Sequence, residues 1–135
     1  MATNADLAPI LPTSAISQPI TSKTDAVYDL RVPMRDGIEL SLDLIRPDTP
    51  GPYPVVLART PYDKANINLP FHHDLARRGY IIAYNDIRGR FNSDGDFTPY
   101  VHDTDDGYDT IEWIAAQEWC DGNIGMSGGS CVART

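Results

Sequence analysis

The sequence lacks the features that mark several classes of protein. It has no uninterrupted apolar run of about 18 residues, so a membrane-spanning helix is excluded and no membrane partner is expected. Only two cysteines are present, too few for a disulfide scaffold, which favours a reducing compartment. Zinc-ligand spacings, a P-loop and a dinucleotide-binding glycine motif are also missing. We therefore expect no zinc site, no phosphate-binding P-loop and no dinucleotide site.

Basic residues are scarce as well. Eleven Lys and Arg stand against nineteen Asp and Glu, which gives a formal net charge of −8. A nucleic-acid partner is therefore excluded, because phosphate binding needs a clustered basic surface. The length of 135 residues predicts a single domain, and a hydrophobic content of 41% is ordinary for a soluble globular protein.

The amino-terminal stretch differs from the rest of the chain in composition. It is rich in Ala, Thr, Ser and Pro, and Pro9, Pro12 and Pro19 interrupt every apolar run. A secretory signal needs a basic segment followed by a continuous apolar one, and neither is present. We predict a mobile leader over residues 1–24, a partial folded domain over residues 25–135 and a cytoplasmic location.

The pattern of the remaining chain is typical of an α/β fold. Alternating apolar residues flank Asp36-Gly37, which is a strong signal for a β-hairpin. Apolar runs predict buried strands over 54–58, 80–84 and 123–126, and helical periodicity predicts helices over 69–78 and 105–117. Strands that alternate with helices indicate a mostly parallel sheet, which the hairpin extends at one edge. Functional side chains are then expected in the loops at the carboxyl ends of the strands.

The segment after the third buried strand contains three candidate nucleophiles. A nucleophile elbow is a sharp strand-to-helix turn that needs small residues two positions before and two or three positions after the nucleophile. Ser127 and Cys131 have small residues two positions before and two positions after. Ser130 has Gly128 before it and Ala133 three positions after it, with the bulky Val132 between. Ser130 leaves room for a strand of about five residues and is slightly favoured for that reason. The local pattern leaves all three open.

Five short motifs occur in a fixed order along the chain. They are VPMRDG, TPYDK, DIRGRFNSDG, DGYDTIEWIAAQEWC and GMSGGS. Together they resemble the N-terminal part of the cocaine-esterase and X-Pro dipeptidyl-peptidase-like (CocE/NonD) serine hydrolases, over roughly residues 28–130. The resemblance implies an α/β-hydrolase fold, truncated after the nucleophile elbow. It also implies hydrolysis of an ester or peptide substrate through an acyl-enzyme, with no cofactor.

The resemblance assigns roles to three residues. Ser130 corresponds to the nucleophile, the hydroxyl of Tyr62 to one donor of the oxyanion hole, and the backbone N–H of Cys131 to the other. Cys131 stands where the family usually has an aromatic residue, and Ala133 stands where it usually has glycine.

The rest of a catalytic triad does not follow Ser130. In α/β hydrolases the acid and the histidine come after the serine, but the five residues after Ser130 include neither. The histidines lie upstream: His72 and His73 are expected to be exposed on a surface helix, and His102 in a loop. We therefore predict negligible hydrolytic activity for the chain alone. The alternative is a non-catalytic fragment that associates with itself or with another chain through an exposed sheet edge.

Overall fold

The chain folds around one mixed β-sheet. A computed structural model describes residues 20, 23–67 and 69–133, so most of the predicted leader lies outside the described residues. The strands are β1 (Thr24–Pro33), β2 (Glu39–Pro47), β3 (Tyr53–Thr60), β4 (Ile81–Asp86) and β5 (Cys120–Met126), in the order β1-β2-β4-β3-β5. Strands β3, β4 and β5 are parallel, while β2 runs antiparallel to both β1 and β4. The predicted topology, with the hairpin at one edge, is confirmed.

The hairpin turns where the sequence predicts it. Gly37 has a φ of 87°, which a side chain would disfavour, and its N–H donates to the carbonyl of Met34 at 3.0 Å. Strands β1 and β2 then pair from Pro33 opposite Glu39 to Thr24 opposite Pro47. A register shift between Val27 and Leu30 bends the far end of β1.

The described residues form two α-helices, which lie on opposite faces of the sheet. Helix α1 covers Pro70–Arg77 and α2 covers Asp103–Ala115, and short 3₁₀ turns cover Lys64–Asn66 and Ser130–Ala133. Helix α2 begins two residues earlier than predicted, with aspartates in its first turn that complement the helix dipole. In the part of the chain that the structure describes, no helix has the length and apolar character needed to cross a membrane.

Each helix covers its own part of the core. On one face, leucines of β2 and β3 pack with Ile114 of α2. On the other face, Ala58, Ile82 and Tyr84 form a smaller cluster with Ala76 of α1. We call this second cluster the α1-side core. Burial of apolar side chains on both faces explains why β3 and β4 are continuous apolar runs rather than alternating ones.

Strand β5 is longer than the sequence predicts. It starts at Cys120, opposite Tyr53, and a register shift follows before Ile124 pairs with Val55. The prediction of 123–126 was too short because Asp121-Gly122 has the composition of a turn, although this glycine lies inside the strand with a φ of 92°. A strand of seven residues already ends at Met126, so strand length no longer favours Ser130 over Ser127.

Candidate active site

The loops that carry the candidate residues meet at one edge of the sheet. The N–H of Ser127 donates to the carbonyl of Leu57 at 2.9 Å, which continues the β3–β5 ladder past the end of β5. The N–H of Ile87 donates to the carbonyl of Thr60 at 3.1 Å, which continues the β3–β4 ladder past the end of β4. The three loops therefore leave from the carboxyl ends of adjacent parallel strands, where α/β proteins place their functional groups.

Ser130 lies on a tight turn. It is exposed and has a φ of 56°, a left-handed conformation that is uncommon for a residue with a side chain. A Cβ atom on Gly128 would clash with the backbone carbonyl of Val132, whereas one on Gly125 or Gly129 would have no neighbour within 4 Å. The requirement for a small residue thus falls at Gly128, two positions before Ser130. The glycines that made Ser127 and Cys131 candidates are not needed sterically.

Val132 fits this turn despite its size. Gly128 approaches mainly the backbone of Val132, and the Val132 side chain packs against the α1-side core. A bulky residue two positions after Ser130 is therefore compatible with the turn. The sequence pattern missed this because it treats both flanking positions alike.

His72 is buried, and the prediction that it is exposed was wrong. His72 and Ala76 are one helical turn apart, and both face the sheet, where each is 0% exposed. The Nδ1 atom of His72 lies 2.9 Å from the hydroxyl of Tyr84, and its Nε2 atom lies 3.1 Å from Oγ of Ser127. Burial, together with the neighbouring His73, lowers the pKa of His72 and keeps the ring neutral. His73 is exposed, as expected.

The pair of Ser127 and His72 has the distance of a serine–base pair but not its surroundings. Both ring nitrogens of His72 contact hydroxyl groups, and the ring is held by Tyr84 rather than by a carboxylate. An imidazolium formed during catalysis would therefore gain no opposite charge in a buried site. This geometry suits a structural hydrogen bond better than an activated nucleophile.

Tyr62 lies in the loop after β3. Its ring is 59% exposed, and its backbone N–H donates to Oγ1 of Thr60 at 2.9 Å. Nε of Arg90 donates to the carbonyl of Pro61 at 2.9 Å, which ties this loop to the one after β4. A cavity of about 240 Å³ lies beside Tyr62 and is lined in part by the ring of Phe97. The tyrosine therefore borders a space that is open at the carboxyl edge of the sheet.

Lys64 fixes the far end of the Tyr62 loop, a role that the sequence analysis missed. Its ammonium group is buried 3.2 Å from the carboxylate of Asp43 and 3.7 Å from that of Asp86. The backbone N–H of Lys64 also donates to Asp86 at 2.7 Å. Burial raises the pKa of Asp86, and the bonds from Lys64 oppose that shift. The buried ion pairs hold the loop against β2 and β4.

Arg88 joins three of the five motifs. Its guanidinium contacts the carboxylate of Asp36 in the hairpin turn at 2.6 Å and that of Asp106 in α2 at 2.7 Å. These two carboxylates raise the pKa of Arg88, and Asp106 contributes most. A Cβ on Gly89, the next residue, would clash with the backbone of Phe97. These three motifs therefore pack against one another through Arg88.

Comparison of the sequence with models of known protein families identifies its family. The sequence model for the X-Pro dipeptidyl-peptidase (S15 family) matches residues 36–135. The chain belongs to the S15 family. Among curated relatives, a cocaine esterase from Rhodococcus sp. (strain MB1 Bresler) is 46% identical over an alignment of 112 residues that covers 79% of this chain and 20% of the relative.

Solved structures of similar proteins agree with this S15 assignment. A CocE/NonD family hydrolase from Staphylococcus aureus superimposes with a TM-score of 0.75 at 30% identity, covering 82% of this chain and 24% of that protein. An alpha-amino acid ester hydrolase gives a TM-score of 0.67 at 27% identity, covering 92% of this chain and 25% of that protein. The CocE/NonD resemblance and the α/β-hydrolase fold are confirmed. The chain spans about a fifth to a quarter of the length of these relatives.

Proposed function

We propose that this S15-family chain supplies the nucleophile and the oxyanion donors of a serine hydrolase that acts on ester or amide bonds. The observation that supports this most is the conformation at Ser130. A φ of 56° on a non-glycine residue, with Gly128 closed against the backbone of Val132, is the geometry that a nucleophile elbow requires.

The chemistry is acyl transfer. Oγ of Ser130 attacks the substrate carbonyl carbon, the hydroxyl proton passes to a base, and the carbonyl electrons move to its oxygen. The hydroxyl of Tyr62 and the N–H of Cys131 donate to that oxyanion, each lowering the barrier by about 3 kcal/mol. Collapse of the intermediate expels the alcohol or amine, which takes the proton, and leaves an acyl-enzyme. Water then releases the acid.

The base and its acidic partner are not supplied by the residues described above. His72 is neutral, buried and bonded to Tyr84 and Ser127 rather than to Ser130. The proposal therefore requires a histidine and a carboxylate that follow Ser130 in chain order, and the 135 residues contain neither there. We expect no measurable turnover of p-nitrophenyl esters by the chain alone.

A chimaera tests the nucleophile directly. In it, this chain replaces the matching segment of the Rhodococcus cocaine esterase, which provides the remaining residues of the relative. We expect Ser130→Ala to lower kcat by about 10⁴-fold or more and Tyr62→Phe by about 10²- to 10³-fold. Ser127→Ala is expected to lower kcat by about tenfold at most, because it loses a group that positions the turn but keeps the nucleophile. If Ser127→Ala removes turnover and Ser130→Ala does not, the proposal is wrong.

A second candidate function rests on the open edge of β5. Within the described residues β5 pairs with β3 alone, and Met126 at its end is 42% exposed. Unpaired backbone groups on an edge strand favour association with another strand. This alternative is a non-catalytic chain that self-associates through β5. Sedimentation velocity would then show a dimer that Met126→Lys dissociates, whereas Tyr28→Lys on the opposite edge strand would not. A monomer at all concentrations would contradict it.

A further inference from the structure

We propose that His72 is a positioning residue for the elbow, because it holds Ser127 and through it the turn that carries Ser130. The proposal rests on the function proposed above only for the role of Ser130. It adds a residue on α1, far from Ser130 in sequence, to the set that determines where the nucleophile lies.

A chain of hydrogen bonds runs from β4 to the elbow. It passes from the hydroxyl of Tyr84 to Nδ1 of His72 at 2.9 Å, and from Nε2 of His72 to Oγ of Ser127 at 3.1 Å. Tyr84 is 4% exposed and His72 is 0% exposed, so the first bond is buried, while the bond to the half-buried Ser127 is partly buried. Hydrogen bonds in such surroundings are stronger than at the surface, and breaking one leaves a buried polar group unpaired.

Ser127 is held from two directions. Its backbone N–H is bonded to β3 through the carbonyl of Leu57, and its side chain is bonded to α1 through His72. The next residue, Gly128, is in close contact with Val132, whose side chain packs on the α1-side core together with Tyr84. The elbow therefore closes onto the same small core from which His72 reaches Ser127.

The conformation of Ser130 needs such support. A left-handed φ on a residue with a side chain costs free energy and persists only where the surroundings impose it. The N–H of Val132 donates to the carbonyl of Gly129 at 3.1 Å, which closes the turn after Ser130. On the side before Ser130, the bond from His72 fixes the direction of Ser127 as well as its place. Hydrogen bonds are directional, so this bond constrains the orientation of the Ser127 side chain, whereas an apolar contact would constrain only its position.

Backbone measurements on the 135-residue chain test this inference. In Ser127→Ala, we expect amide exchange at Val132, whose N–H is bonded to the carbonyl of Gly129, to become about fivefold faster, and the ¹³Cα and ¹³Cβ shifts of Ser130 to move towards unstrained values. His72→Phe is expected to have the same effect. Ser127→Thr retains the hydroxyl and is expected to keep the amide exchange rate and the Ser130 shifts of the unsubstituted chain. His73→Phe, on the exposed neighbour, is the matched control and is expected to change neither.

The outcomes separate this inference from the function proposed above. Unchanged exchange and Ser130 shifts in Ser127→Ala and His72→Phe would overturn it, as would equal acceleration at every amide of the chain. Ser127→Ala removes one oxygen atom, so the test stands even if His72→Phe does not fold. Labelling of Ser127 by a fluorophosphonate would show an activated serine and also overturn it. None of these results depends on whether Ser130→Ala abolishes turnover in the chimaera.

Discussion

Gly128 is the residue on which the geometry around Ser130 depends most directly. Its α-hydrogen faces the backbone of Val132, and no side chain fits between them. Gly129 has open space around its Cβ direction and is not among the glycines with positive φ. Two adjacent glycines thus have different roles, which the printed sequence does not distinguish.

Substitution at these two glycines gives the first prediction. Gly128→Ala is expected to lower the free energy of unfolding by roughly 1–3 kcal/mol, because the added methyl pushes Val132 away from the α1-side core. Gly129→Ala is the control and is expected to change it by about 0.5 kcal/mol or less. Urea unfolding followed by circular dichroism measures both. Equal effects of the two substitutions would show that the turn is not closed at Gly128.

Arg88 acts between secondary-structure elements. It connects the turn of the β1–β2 hairpin, the loop after β4 and the first turn of α2 through two carboxylates. Arg35 makes a second link between the hairpin turn and α2, since its guanidinium lies 2.8 Å from the carboxylate of Asp109. These contacts explain how elements far apart in sequence keep a fixed arrangement below the candidate site.

Replacing Arg88 tests this link. Lysine keeps the charge but cannot bond two carboxylates through a planar fork, so Arg88→Lys is expected to lower the free energy of unfolding by about 2–4 kcal/mol. Arg77→Lys, on the exposed side of α1, is expected to have an effect of about 0.5 kcal/mol or less. Urea titration at low salt measures the free energy of unfolding of both variants. A loss in Arg88→Lys no larger than in Arg77→Lys would contradict the linking role.

Across the whole molecule, acidic groups determine how stability depends on pH. Hydrogen bonds from Ser41, Arg88 and Arg35 lower the pKa values of Asp29, Asp36 and Asp109, respectively, below their ordinary value. Each lowered pKa contributes stability that is present above pH 3.8 and is lost as pH falls through the native pKa. Burial acts in the opposite direction at Asp86, where it raises the pKa. The lowered pKa of the buried His72 acts in the same direction as those of the three aspartates, with a loss that begins as pH falls below 6.5, so a loss of stability in acid is expected.

The contribution of Asp109 is open to measurement. Asp109→Asn is expected to destabilise the chain at pH 7, and the difference from the unsubstituted chain is expected to shrink as pH falls below 3.8. Urea midpoints at pH 7, 4 and 3 measure this convergence. Asp74→Asn, on the exposed surface of α1, is the control and is expected to show no such trend. A difference that stays constant with pH would refute the assignment to the Asp109 carboxylate.

The sequence by itself determined the order and type of the elements, the hairpin at Asp36-Gly37 and the CocE/NonD resemblance. Apolar periodicity and turn residues are local signals that span a few positions, so they can be recognised in the sequence without knowledge of the fold. Boundaries were less accurate where a local signal conflicted with pairing, as at Asp121-Gly122 inside β5. The proposed roles of Ser130, Tyr62 and Cys131 also came from the sequence, through the order of its motifs.

Only the tertiary structure decided which residues support those roles. His72 is buried against Ser127, 55 positions away, and Lys64 lies between carboxylates of two different strands. Gly128 rather than Gly129 is the glycine that the turn requires, because the chain folds Val132 back onto it. Contacts of this kind depend on which faces of the sheet and the helices meet. The packing of the whole chain determines those faces, and the residues next to each position in sequence do not.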